Sequence, residues 1–312
     1  MLRIKPMENE TNPMENEIIK KESPFLIPLA LIFAAAMISG AWVYSSRNPK
    51  DIIQKTEEDR AEELANAVVP VEGVVLPTVW GNLGSKLVEA GAIDGERFRA
   101  LYGGRGQWSD ELEQMLSGQT NNNIVITREN AEYLLNMFWA LGLANKNEIL
   151  ETGEMMTRTN GDVSGFASTA GWTMAVGDAM SHYSMHQLFD LTPEQQQMVD
   201  IMSRGIFRPC CGNSTHLPDC NHGMAMLGFL ELMASQGATE EEMWNAALAV
   251  NSYWFPDMYQ TVASYIEAQG LAWTDVSARE LLSATYSSGS GFANIKSKSV
   301  QPAKSGGGGC SV

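Results

Sequence analysis

Apolar residues recur along this chain at intervals of three and four, the spacing of a helix face, in one short segment after another. Leu83, Leu87 and Val88 share a face in NLGSKLVEAG; Ile93, Phe98 and Leu101 mark a second segment, and Trp108 to Leu116 a third. Thr127 is placed to cap a longer helix whose Leu134, Leu135, Phe138 and Leu141 form an apolar stripe. Thr192-Pro193-Glu194 supplies a cap, a proline at the first helical position and an early acid for a helix through Met198 and Met202. Thr239 followed by Glu240, Glu241 and Glu242 opens another, with the acids at the positive end of its dipole, and Tyr253-Trp254-Phe255-Pro256 should end it. The same reading predicts helices near residues 171–188, 221–236, 256–269 and 277–283. No run alternates strictly enough to predict a strand, so the expected fold class is all-α, a helical bundle.

One stretch departs from the amphipathic pattern. Pro24 to Tyr44, PFLIPLALIFAAAMISGAWVY, carries no charge and would span about 30 Å as a helix. Lys20 and Lys21 precede it and Trp42 and Tyr44 lie at its far end, where aromatic rings favour a membrane interface. The expectation is a single amino-terminal transmembrane helix, with the membrane as a partner and the carboxyl-terminal domain extracytoplasmic. The chain then divides into a disordered tail (1–23), the span (24–44), a stalk (45–75) helical from Lys50 to Ala67, a helical subdomain (76–160), a helical Cys/His-rich domain (161–286) and a flexible Gly/Ser tail (287–312) that carries Cys310.

The net charge of -16 and isoelectric point near 4.7 exclude a nucleic-acid partner, which needs a basic surface to displace counterions. The sequence has no phosphate-cradling glycine loop followed by Lys-Ser/Thr and no GxSxG elbow.

The candidate chemistry is concentrated instead. All four histidines and three of the four cysteines fall between His182 and His222, in SHYSMHQ and RPCCGNSTHLPDCNHGM. Thiolates and imidazoles are the side chains that hold zinc, copper and iron. Cys210, Cys211, His216, Cys220 and His222 share one turn-rich stretch, where Pro209 and Gly212 would present the sulfurs on a constrained backbone. Asp219 is placed to cap a helix beginning near Cys220, which would stabilise a thiolate there. His182 and His186, four apart, would project from one face of the helix expected over 171–188. Met180, Met185, Met224 and Met226 lie close in sequence and suit soft copper. Adjacent cysteines leave three arrangements open: a bridged copper cluster, one ligand with a neighbouring thiol, or disulfide partners elsewhere.

At Pro209-Cys210-Cys211-Gly212, His216 and Cys220, followed by an apolar helix and a second one opened by Gln236-Gly237-Ala238-Thr239-Glu240, the chain resembles the PCYCGC-motif extracytoplasmic proteins of bacteria. The resemblance covers roughly Met202 to Pro256. It implies a membrane-tethered metal-binding module, with Cys210, Cys211, His216 and Cys220 falling on the cysteine-rich motif. One cysteine of that motif and a lipobox cysteine are missing. The later part also resembles the helical hairpin of cytochrome c maturation thiol proteins, which implies thiol-disulfide exchange, although their CxxC is absent. The leading expectation is a metal-binding protein that handles a copper ion, with a zinc ion as the alternative, in delivery or storage rather than catalysis. The competing readings are a thiol-disulfide oxidoreductase and a helical scaffold with a structural zinc or disulfide knot.

Overall fold

In a computed structural model of the chain, which describes residues 49–299 with side chains from residue 56 onward, helices form largely where caps and apolar stripes coincide. In chain order they are α1 (Pro49–Val68), α2 (Leu83–Glu89), α3 (Gly95–Gly104), α4 (Asp110–Ser117), α5 (Ala131–Ala144), the short α6 (Glu148–Thr152), α7 (Glu154–Thr159) and α8 (Ala167–Ala170), then α9 (Pro193–Gly205), α10 (Asn221–Ser235), α11 (Glu240–Trp254), α12 (Pro256–Glu267), the short α13 (Ala278–Leu281) and α14 (Ala284–Ser287), and α15 (Gly289–Lys298). Thr192 and Thr239 each close a capping box, with Gln195 and Glu242 respectively, satisfying two backbone donors at the starts of α9 and α11. Thr127 acts one turn before α5: its hydroxyl accepts from the Asn130 N–H, and the Asn130 side chain accepts from the Thr127 N–H.

The expected fold class, all-α with one transmembrane helix, is corrected: the described residues are mostly helical but include a two-stranded sheet, and none of their helices could be a span. Val74–Gly81 (β1) and Thr120–Ile126 (β2) pair antiparallel, Val74 opposite Ile126 and Gly81 opposite Thr120. The register shifts between Val75 and Val79, where Pro77 has no N–H to give the ladder. Gln236 lends its amide there, exchanging bonds with the Val79 N–H and carbonyl. Among the described residues, no helix is long and apolar enough to cross a membrane. Residues 24–44, on which the span was expected, lie outside the described residues, as do residues 1–23 and Cys310.

Two further expectations fail locally. The segment 171–188 is a series of turns with one 3-10 turn at Ala179–Ser181; Gly177 at φ +78 and Ser184 at φ +52 are incompatible with a continuous helix. The first part of the 287–312 tail, expected to be flexible, is instead α15, whose Ile295 is buried against Val262, Ile266 and Leu281; residues 300–312 lie outside the described residues. Sequence could not show this, because the serine-glycine run caps the helix: Ser288 accepts from the Gly291 N–H.

From Arg60 onward the chain forms one unit, centred on two helices that are apolar on nearly every side, α5 and α10. They cross at Gly142 and Gly228, where a Cβ on either residue would overlap the other helix's backbone. Trp80, Phe138 and Phe229 pack around the crossing. The start of α10 is thereby fixed against the rest of the core, and that start carries the candidate site.

Candidate metal centre

After α9 the backbone folds back on itself. Phe207 bridges Ser214, the Thr215 N–H donates to the Ile206 carbonyl, and the Cys211 N–H closes a turn on the Arg208 carbonyl. The loop is fastened from behind by two N–H bonds, Phe207 to the Leu282 carbonyl at 2.8 Å and Gly289 to the Cys211 carbonyl at 2.7 Å. Asn251 adds a side-chain bond to the Phe207 carbonyl and also reaches the Tyr259 hydroxyl, which pairs with Ser287. The turn thus sits on a buried polar platform made by α11, α12 and α14.

This folding brings Cys210, Cys211 and Cys220 together, with their Sγ atoms all within 4.8 Å of one another. All three are free thiols; Cys210 is exposed, and Cys211 and Cys220 are partly buried. Cys220 is the N-cap residue of α10, next to unsatisfied backbone N–H groups and the positive end of the dipole. The Asp219 side chain does not cap that helix, as the sequence suggested, but binds Arg208 and Asn213 instead.

Arg208 organises the loop. With 1% of its side chain exposed, it donates through Nε to Cys220 Sγ at 3.0 Å, through Nη1 to the Asn213 carbonyl at 3.0 Å, and through Nη2 to the Leu217 carbonyl at 3.1 Å and Asp219 Oδ1 at 2.8 Å. Gly223 makes room for it, since a Cβ there would stand 2.6 Å from the guanidinium carbon. Burial works against the Arg208 charge, and the sulfurs of Cys220 and Cys211 and the Asp219 carboxylate overcome that penalty.

The three thiols titrate as one group. Bonds from Cys210 and Cys211 lower the Cys220 thiol well below the ordinary thiol range, with His222 and Arg208 adding to the effect. Cys210 is pushed the other way, chiefly by sharing its proton with Cys211 and Cys220.

The histidines separate. His222 follows Cys220 by two residues, packs on Trp254 and Phe255, and keeps a buried Nδ1 with no hydrogen-bond partner. His216 points away: its Nδ1 lies 3.1 Å from Glu154 Oε1 and its Nε2 2.9 Å from Asp200 Oδ1, so both nitrogens are occupied and the ring ties α7 to α9. His182 and His186 face each other elsewhere, Nδ1 to Nε2 at 3.0 Å, and are not part of the cysteine cluster. Burial, and then His182, hold His186 below the ordinary histidine value. Met224 and Met226 are core residues of α10 and Met185 is exposed.

Arg208 and Asn213 are the site residues that sequence reasoning missed. An arginine inside a cysteine-rich loop with an aspartate eleven positions on is the available signal, but its carbonyl partners exist only once the loop is folded. Comparisons of the chain with protein-family models, curated proteins and solved structures return no match.

Proposed function

We propose that this is a metal-binding protein that takes a soft cation on Cys210, Cys211 and Cys220, with copper(I) preferred and zinc the alternative, and that it handles the ion rather than catalysing a reaction. The observation that carries the reading is the convergence of three free sulfurs within 4.8 Å on one constrained loop. Metal–sulfur bonds of about 2.3 Å put sulfurs roughly 3.8–4.0 Å apart around one ion. Closing the triad on a cation therefore asks for rotamer adjustments and not for refolding. Copper(I) is satisfied by three soft donors. Zinc prefers four; His222, two residues after Cys220 and with an unpartnered Nδ1, lies outside the group of three sulfurs, and its ring would have to turn to supply the fourth donor.

A thiol-disulfide reading is favoured by one observation, the 3.0 Å bond from Arg208 Nε to Cys220 Sγ at the N-cap of α10, a setting that favours a thiolate. Elemental analysis of the full chain, purified without affinity metals and with a parallel thiol count, separates the two. We expect one bound copper or zinc and reduced thiols, and loss of the metal in Cys210→Ser/Cys211→Ser/Cys220→Ser. His222→Gln should weaken zinc and leave copper(I) bound. A metal-free protein with a stable disulfide among the three cysteines would sink the proposal.

A further inference from the structure

In the turn-rich segment between α8 and α9, His182 and His186 are stacked, with centroids 5.2 Å apart and Nδ1 of His182 3.0 Å from Nε2 of His186. His182 Nε2 lies 3.0 Å from the Val176 carbonyl and so carries the proton donated there, which leaves Nδ1 as the lone-pair nitrogen turned to its partner. A carbonyl holding the far nitrogen is the usual support of a metal-bound histidine. Gly91, at φ +76, lies under the ring, where a Cβ would come within 3.2 Å of His182 Cε1.

The backbone between the two rings is held just as firmly. Ser184 has φ +52, a left-handed conformation that a non-glycine residue keeps only where its surroundings impose it. Its N–H donates to the Leu143 carbonyl at 2.8 Å, the His186 N–H to the Ala144 carbonyl at 2.9 Å, and the Lys146 N–H to the His186 carbonyl at 2.9 Å. The loop is clamped along the end of α5, and the clamp is what turns the two imidazoles toward each other.

We propose that His182 and His186 form a second metal site, separate from the cysteines, that takes zinc or copper(II) between His182 Nδ1 and His186 Nε2, with water completing the coordination. Metal–imidazole bonds of about 2.0–2.1 Å place two nitrogen ligands roughly 2.9–3.4 Å apart at right-angled to tetrahedral geometry. The observed 3.0 Å is that of a hydrogen bond between the rings and also falls in that interval, so a cation would take the place of the shared proton. His186, the more exposed ring, swings to share the ion, and the proton between the rings moves to its Nδ1, leaving Nε2 free to bind. Imidazoles suit these borderline ions, whereas thiolates favour copper(I), so the two sites would sort cations by softness.

The test is calorimetric titration of zinc into the full chain carrying Cys210→Ser/Cys211→Ser/Cys220→Ser/Cys310→Ser, with nitrogen-15 spectra of the histidine rings. We expect saturable binding of one zinc, shifts confined to the His182 and His186 rings, and at least ~tenfold weakening by His186→Asn in the same background. No binding, or binding undiminished by His186→Asn, overturns the proposal. Should the serine chain fail to fold, the native chain is titrated past its first equivalent of zinc. Shifted His182 and His186 ring nitrogens then support the site, and unshifted ones at saturation overturn it. The thiol-free background keeps the two readings apart, because a negative result here leaves the cysteine proposal standing.

Discussion

Arg208 is a buried cation whose four hydrogen bonds end on one sulfur, two carbonyls and one carboxylate. Lysine offers a point charge in place of a planar fork and cannot reach that set at once. Arg208→Lys should cost about 2–4 kcal/mol of stability in urea unfolding, and alkylation of Cys220 followed against pH should show its thiolate forming at higher pH; an unchanged alkylation profile would sever Arg208 from the sulfur. A second residue sets a pH dependence of the whole fold. Glu231 is fully buried in α10, with one oxygen held by Asn145 Nδ2 at 2.7 Å and the other without a partner. Burial raises its pKa well above the ordinary carboxylate value, outweighing the bond from Asn145. Its contribution is therefore fully present below the unfolded value, near 4.5, and is lost as pH rises toward the folded one. Glu231→Gln should remove that loss and stabilise the protein at pH 7–8 by on the order of 2 kcal/mol, with little change at pH 4; equal effects at both pH values would contradict the sign. Neither residue's role could be read in the sequence, where each is one charged residue among many and the partners lie on other elements.

Between elements, the closest approach is the crossing of α5 and α10 at Gly142 and Gly228. Neither glycine needs an unusual φ; each is there because a methyl group would have to occupy the other helix's backbone. Gly228→Ala should cost about 3 kcal/mol or more by overpacking, read as a fall in thermal midpoint, and would be surprising only if it proved stabilising through its better helix propensity. The helices themselves were legible because their signals are local: Thr192 and Thr239 with their capping partners, and the apolar stripe of α5. The strands were not. Leu76, Thr78 and Trp80 do alternate inward along β1, but one of the three is polar and Pro77 sits among them, while β2 opens with Thr120-Asn121-Asn122-Asn123. Periodicity also placed His182 and His186 on a helix face that does not exist; they meet across a left-handed turn at Ser184, and a four-residue spacing cannot distinguish the two geometries.

At the scale of the whole molecule, the cysteine loop is held by structure that comes last in the chain. The sequence located the three sulfurs, since their crowding is visible in RPCCGNSTHLPDC, but it gave no reason to join them to residues after 280. The fold does so through the Leu282 carbonyl, Ser287 and the Gly289 N–H. In turn α15 is seated by Ile295, with Phe292 against the same small core of Val262, Ile266 and Leu281. A chain ending after Ser287 keeps the Tyr259–Ser287 pair and loses both the Gly289 bond to the Cys211 carbonyl and the anchor at Ile295. The turn carrying Cys210 and Cys211 is then free to open, and a cation must order it on binding. We expect copper(I) affinity to fall about tenfold, equivalent to about 1.4 kcal/mol, in a competition titration. A chain ending after Ser299 should match the full-length protein. Both truncations remove Cys310, so the comparison isolates α15 from any contribution of that thiol. Equal affinities in the two would mean that the loop holds its shape without α15, and that Arg208 alone organises the site.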